Sequence, residues 1–216
     1  MLMVSTDEVY GAGDEKGGLF DEEHALRPRS PYAASKAAAD MICQAYFATY
    51  GTAVTVVRGT NAYGPRQIEK AIPTFTVNAL EGNPVPVYGE GRQRREFLHV
   101  SDWVRGALVV FDRGEPGVVY NIGGGHELSN LELARHICAL CGAPDSLVSF
   151  VADRPGHDFR YGVSSDRLRA LGWRAQVPFE EGLAETVEWY RQNLDALRAA
   201  HGLDLVTAPR VAGTVK

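Results

Sequence analysis

Short apolar runs alternate along this chain with longer stretches in which apolar residues recur every three or four positions. Met1-Leu2-Met3-Val4 is one such run, and it enters the polar cluster Ser5-Thr6-Asp7-Glu8 without a break, as a buried strand does at its carboxyl end. From Gly11 to Arg29 the composition turns to Gly, Pro and charge, which predicts a loop. Ser30 then offers an N-cap and Pro31 a first helical position for an Ala-rich helix running to Tyr50, with Gly51 as its C′ residue. Ala53 to Val57 reads as a second buried strand. Beyond it the pattern predicts helices over 70–81, 101–112, 131–141, 164–171 and 179–197, and strands over 84–88, 96–100 and 118–122. Residues after about 201 show little apolar periodicity and read as a loose tail. Strands alternating with helices define an α/β class with a mostly parallel sheet.

Composition narrows the partners. A chain of 216 residues, 45% of them hydrophobic, is long enough to bury a core. A formal net charge of -5, with Lys and Arg spread along the sequence, argues against nucleic acid. No stretch approaches the ~18 apolar residues that span a bilayer, and the first residues lack the basic leader and apolar segment of a secretory signal. No membrane partner is expected. Cys43, Cys138 and Cys141 suit a reducing cytoplasm better than a disulfide framework. Cys138 and Cys141 have the C-x-x-C spacing of redox and metal sites, but they lie in an apolar helical pattern with no second ligand pair. They read as helix cysteines, and no metal is expected.

Two groups of residues suggest chemistry. Tyr32 and Lys36 lie four apart, on one face of the predicted helix. A phenol is a poor base at neutral pH. A neighbouring ammonium favours the phenolate, so Lys36 is expected to lower the pKa of Tyr32 and make it a usable base for a hydroxyl. Exposed Tyr and Lys at this spacing are also common without any function. The cluster Ser5-Thr6-Asp7-Glu8 changes the picture, because open α/β sheets bind ligands at the carboxyl ends of their strands. Adjacent carboxylates there serve as a helix cap or solvated loop, or they separate their pKa values into an acid and a base. Gly123-Gly124-Gly125 is followed by His126 and Glu127 rather than by a helix, and reads as a strand-end loop. G-x-G-x-x-G occurs nowhere in the chain.

VSTDEVYG, SPYAASK, TNAYGP, EKAIP, PVPVYGEG, QRREFLHVSDWVRG, YNIGGG and VADRPGHD follow one another in this order. In them the chain resembles the dTDP-glucose 4,6-dehydratases of the extended short-chain dehydrogenase/reductase family, from Val4 to about Asn193. Thr6-Asp7-Glu8 is the sharpest point of the resemblance. Related 4-epimerases usually lack the Asp-Glu pair, and related decarboxylases and GDP-mannose dehydratases carry Ser in place of Asp. The fold implied is α/β: an N-terminally incomplete, Rossmann-like doubly wound parallel sheet with a smaller α/β substrate-binding lobe. Residues 1–64 would remain of a dinucleotide-binding domain. Residues 65–200 would be mainly the nucleotide-sugar lobe, with interleaved returns to the sheet, and 201–216 a flexible tail.

The resemblance implies NAD as cofactor, held by Tyr32, Lys36 and Ala62, and catalysis by Thr6, Asp7, Glu8, Tyr32 and Lys36. In that scheme Tyr32, steered by Thr6 and Lys36, takes the 4-hydroxyl proton as C4 is oxidised. Glu8 then removes the C5 proton while Asp7 protonates the departing C6 hydroxyl, and hydride returned to C6 leaves a 4-keto-6-deoxy sugar. The implied contacts to a dTDP- or UDP-sugar are Thr6, Asn61, Lys70, Ala71, Pro86, Val87, Tyr88, Arg95, Asn121, Asp153, Arg154 and His157. Among these the guanidinium forks of Arg95 and Arg154 suit a diphosphate. A cytoplasmic homodimer is implied as well. An epimerase or decarboxylase on the same scaffold competes with this reading, as does a non-catalytic sugar-nucleotide-binding fragment.

Three departures from the family pattern matter. Ala62 stands where Asn is frequent, which leaves only a backbone contact. Arg66-Gln67-Ile68 is one residue shorter than usual, which loosens the placement of Lys70. In the family a phosphate-binding loop and several βα units, on the order of 100 residues, precede the strand that matches Met1–Val4. The reading therefore expects a missing N-terminal segment or second chain, an open sheet edge, and a polypeptide inactive by itself.

Overall fold

Buried strands need side chains that fill both faces of a sheet, and the short apolar runs supply them. The computed structural model describes residues 1–13, 18–68, 70–124, 126–153 and 159–201. Along the chain run β1 (Leu2–Thr6), α1 (Pro31–Tyr50), β2 (Thr55–Gly59), β3 (Asn61–Tyr63), α2 (Ala71–Glu81), β4 (Val85–Tyr88), β5 (Arg94–His99), α3 (Val100–Arg113), β6 (Val119–Ile122), β7 (Glu127–Ser129), α4 (Asn130–Cys141), β8 (Val148–Val151), α5 (Asp166–Ala170) and α6 (Phe179–His201). One-turn 3-10 helices cover Asp7–Tyr10 and Asp145–Leu147. The chain forms two units: Met1–Ala62, Arg94–Glu127 and Asp158–Pro178 make the first, and Tyr63–Gln93, Leu128–His157 and Phe179–Lys216 the second.

In the first unit β1, β2 and β6 form a parallel sheet with β2 in the centre. Every residue of β2 is buried. The period of two divides its neighbours. Met3, Val54, Val56 and Val119 pack with Cys43 of α1, whereas Val57, Tyr120 and Ile122 pack with Ala107 and Val110 of α3, joined by Leu168 and Trp173. Helix α1 begins where the Ser30 hydroxyl accepts the Ala33 N–H at 3.0 Å. It ends at Gly51, whose φ of 66° is the left-handed value that glycine adopts without strain. Gly59 serves another purpose: a Cβ there would lie 2.3 Å from Trp103 Nε1, so β2 closes against α3 only with no side chain at this position.

In the second unit β4 and β8 pair in parallel. Val77 of α2 meets Tyr190 and Leu197 of α6 in a core extended by Leu80, Trp189 and Leu194. A capping box between Ser129 and Glu132 starts α4. Cys138 is fully buried in that helix, and burial pushes the Cys141 thiol up to about 11. Among the described residues no cluster of three or more metal-ligating side chains occurs, and no helix is long and apolar enough to cross a membrane.

The architecture is α/β with parallel sheets. Several boundaries differ from the pattern-based expectations. β1 takes in Ser5 and Thr6, β2 starts two residues later than expected, β5 starts at Arg94, and α6 continues to His201. β3, β7 and β8 have three or four residues each, too few for a period of two to stand out. The tail from 202 to 216 lies outside the described residues.

The contact at Gly59 yields a stability prediction. Gly59→Ala is expected to lower unfolding free energy by about 1–3 kcal/mol, the usual cost of overpacking. Gly18→Ala, with nothing within 4 Å of its added Cβ, stays within about 0.5 kcal/mol of the native protein. Urea unfolding of both variants measures the difference.

Candidate active site

β1 delivers Ser5 and Thr6 to the carboxyl edge of the sheet, and the 3-10 turn that follows presents Asp7 and Glu8. Thr6 caps this turn: its hydroxyl accepts the Glu8 N–H at 3.3 Å and donates to Asp7 Oδ1 at 3.2 Å. Asp7 is 3% exposed, and its Oδ2 has no hydrogen-bond partner among the described residues. Burial is the main reason that its pKa rises from the ordinary 3.8 to about 7. Glu8 and Glu96 push the same way, against the Thr6 hydrogen bond and the Arg95 guanidinium. A carboxyl in this state is protonated in about half of the molecules near neutral pH. Successive residues thus divide, with Asp7 enclosed and Glu8 half-buried.

Tyr32 stands on the first turn of α1, 52% exposed. The expected lowering of its pKa by Lys36 is not what the structure shows. Burial, then Glu8, raise the Tyr32 pKa, a hydrogen bond with Thr6 lowers it, and Asp7 adds a further upward push. The physical reason is the placement of Lys36, whose ammonium donates to the Val4 carbonyl at 3.1 Å. The two residues share a helix face, but the carboxylates of the 3-10 turn govern the phenol. Thr6, Asp7, Glu8 and Tyr32 form one cluster.

The remaining expected site residues stand in varied surroundings. In the first unit, Asn61 and Ala62 are half-buried on β3. Arg95 lies over the Tyr161 ring, 4.5 Å from its centroid, and donates to the carbonyls of Arg94 (2.7 Å) and Phe159 (3.2 Å). Asn121 is fully buried: its Oδ1 accepts from the Tyr10 hydroxyl at 2.7 Å and its Nδ2 donates to the Phe20 carbonyl at 3.1 Å. The interior therefore already engages both ends of that amide.

In the second unit, Lys70 is exposed at the N-cap of α2 without a side-chain cap bond, and Ala71 is the first helical residue. Along β4, Val87 is fully buried while Pro86 and Tyr88 are half-buried. Asp153 accepts from Gln93 Nε2 at 2.9 Å. Arg154 and His157 lie outside the described residues. Sequence reasoning passed over Glu96, 2% exposed, because nothing in its neighbours Arg94 and Arg95 signals its depth. It also passed over Tyr10, Asp40 and Arg58, although Tyr32, Lys36 and Asp40 repeat at a spacing of four.

A family model described as GDP-mannose 4,6 dehydratase matches residues 1–186. A dTDP-glucose 4,6-dehydratase of Streptomyces niveus is 53% identical over 88% of this chain and 56% of its own length. Among solved structures, a dTDP-glucose 4,6-dehydratase of Streptomyces venezuelae with NAD bound superposes with a TM-score of 0.87 at 48% identity, covering 90% of this chain and 61% of that one. A UDP-glucose 4-epimerase of Thermus thermophilus, also with NAD, reaches 0.81 at 29% identity over 88% of this chain and 63% of its own. The chain thus spans little more than half the length of the Streptomyces niveus relative.

The state of Asp7 links stability to pH. Its folded pKa lies above the ordinary value, so the native protein holds this proton more tightly than the unfolded chain does. The resulting stabilisation is complete below 3.8 and is lost as pH rises through about 7. Asp7→Asn is neutral throughout and lacks this loss. Its stability relative to the native protein is expected to climb between about pH 4 and about pH 8, by an amount on the order of 4 kcal/mol. Denaturant unfolding across that range measures the climb. Parallel stability curves for the two proteins would mean that Asp7 titrates as an ordinary carboxyl.

Proposed function

The chain belongs to the GDP-mannose 4,6 dehydratase family, and from that premise we propose that it carries out the NAD-dependent 4,6-dehydration of a nucleoside-diphosphate glucose. The observation that carries this reading is the enclosed, proton-holding carboxyl of Asp7 directly beside Glu8 and within the same cluster as Tyr32. Loss of water needs an acid and a base that hold different protonation states at one pH. Epimerisation at C4 expels no hydroxyl and needs no such acid. The relative of Streptomyces niveus, by its name, supports dTDP-glucose ahead of UDP-glucose as substrate.

In this mechanism Tyr32 takes the proton of the sugar 4-hydroxyl while the Thr6 hydroxyl steadies the phenol. Once C4 is a ketone the C5 proton becomes acidic, and Glu8 removes it. Asp7 gives its proton to the C6 hydroxyl, which leaves as water, and the resulting 5,6-alkene would become the 4-keto-6-deoxy sugar once a hydride is restored at C6 and Glu8 returns its proton to C5. NAD fits the exposed phenol of Tyr32 and the Lys36 ammonium, which has N–H bonds beyond the one given to Val4, with the backbone at Ala62 as a further contact. When bound, NAD supplies the hydride acceptor and donor and a positive charge that favours the phenolate.

Substrate contacts are assigned to Thr6, Asn61, Lys70, Ala71, Pro86, Val87, Tyr88, Arg95, Asp153, Arg154 and His157. The Lys70 charge at the uncapped start of α2 suits a diphosphate. Asn121 belongs to the same assignment, although its side chain is engaged by Tyr10 and Phe20 and its backbone N–H by Glu22 Oε1 at 2.8 Å. A cytoplasmic homodimer completes the reading, supported by the three free cysteines and by exposed Met41, Ile42, Tyr46 and Tyr50 on α1.

Incubation with NAD and dTDP-glucose or UDP-glucose of the chain fused to the N-terminal region of the Streptomyces niveus relative is expected to yield a product lighter by one water, with 4-keto absorbance. Tyr32→Phe lowers turnover by about 100-fold or more. Asp7→Asn and Glu8→Gln block water loss while oxidation at C4 survives. A product of unchanged mass, epimerised at C4, would replace the dehydratase reading with an epimerase one.

A further inference from the structure

Arg58 is the only charged residue of β2. The parallel register aligns Ser5 of β1, Arg58 of β2 and Asn121 of β6 in one row. Val56, two residues before Arg58, packs against Cys43, so alternation puts that row on the face covered by α1. Arg58 Nε donates to Asp40 Oδ2 at 2.8 Å, and Nη1 donates to the Tyr10 hydroxyl at 2.9 Å. The guanidinium lies 5.0 Å from the centroid of the Tyr10 ring. The Tyr10 hydroxyl passes its own proton bond to Asn121, and all four side chains are buried.

The two partners of Arg58 belong to the two elements that bear the candidate chemistry. Tyr10 ends the 3-10 turn that begins with Asp7 and Glu8. Asp40 follows Lys36 by four residues and Tyr32 by eight, on the same face of α1. A guanidinium is a rigid fork with donors in several directions, so one residue makes both bonds at once. An ammonium is a point charge on a flexible stem and does not reproduce the pair.

We propose that Arg58 is a positioning residue that ties the turn bearing Asp7 and Glu8 to the helix face bearing Tyr32 and Lys36, holding acid, base and phenol in one mutual geometry. This rests on the dehydratase reading for its consequence in turnover, but not for the tie itself. A displacement on the order of 1 Å between such groups lowers rates by about 100-fold.

Arg58→Lys and Tyr10→Phe in the full chain test the proposal. The Asp7 carboxyl, set among Thr6, Glu8, Arg95 and Glu96, reports the placement of the turn without any turnover. Its carboxyl carbon-13 resonance, assigned by its loss in Asp7→Asn, is expected to titrate near 7 in the native protein. In Arg58→Lys the midpoint falls by roughly one unit or more as the turn loosens and water reaches the group. In the fused protein the same substitution lowers kcat about 10- to 100-fold while KM stays within about threefold. Tyr10→Phe retains the ring, removes the hydroxyl link, and moves the midpoint in the same direction by less. An unmoved midpoint with only the melting temperature lowered overturns the proposal. Should Arg58→Lys not fold, an unmoved midpoint in Tyr10→Phe overturns it equally. Absence of dehydration by the fused protein sinks the functional reading alone, because the titration still decides whether Arg58 holds the turn.

Discussion

A guanidinium set into the central strand of a buried sheet has to find its counter-charge there, since an unpaired buried cation is far costlier than any other arrangement. Arg58 meets that demand with Asp40 at 2.8 Å, their side chains 6% and 1% exposed. Removing one partner of such a pair typically costs about 3–5 kcal/mol, whereas exchanging both for apolar groups is close to neutral. The pair therefore adds little net stability, but it strongly penalises any other placement. A rotation or slide of α1 that withdrew Asp40 would strand Arg58, so the ion pair sets the phase of the helix on which Tyr32 and Lys36 stand.

How far such constraints can be read from the residues depends on their range. Ser30, Pro31 and Gly51 bound α1 by local chemistry, and both ends were legible. The start of α4 was placed one residue late because apolar periodicity alone does not register the Ser129–Glu132 box. The three- and four-residue strands β3, β7 and β8 carry no period, and long-range pairing defines them. Arg58 sits at the end of the apolar run AVTVV, where the alternation says that a side chain is buried but not against what.

The site shows the same division. Types and spacing gave two separate groups, and the resemblance joined Thr6, Asp7, Glu8 and Tyr32 in one site; the fold brings them together. The influence of Lys36 on Tyr32 was misjudged because a spacing of four specifies a shared face, not which partner the longer side chain reaches. Lys36 reaches a backbone carbonyl. Residue type is equally ambiguous for Asn121 and Arg95, whose amide and guanidinium suit a ligand but serve interior partners here. The depth of Asp7 had no local signature, since desolvation depends on what the rest of the chain brings around it.

That depth turns two chemically similar neighbours into different reagents. In water, Asp and Glu ionise within about half a unit of each other, and neither keeps a proton at neutral pH. One turn of 3-10 helix at the end of β1 is enough to break the equivalence, because it encloses Asp7 and leaves Glu8 half-buried. The Thr6 hydroxyl, which caps the turn through Glu8 and bonds Asp7, also favours the ionised form of the Tyr32 phenol. A single side chain on the last residue of β1 thus meets the acid, the backbone of the base and the surroundings of the phenol together. Its position is inherited from the sheet register that also lines up Ser5, Arg58 and Asn121, one residue back along the strands.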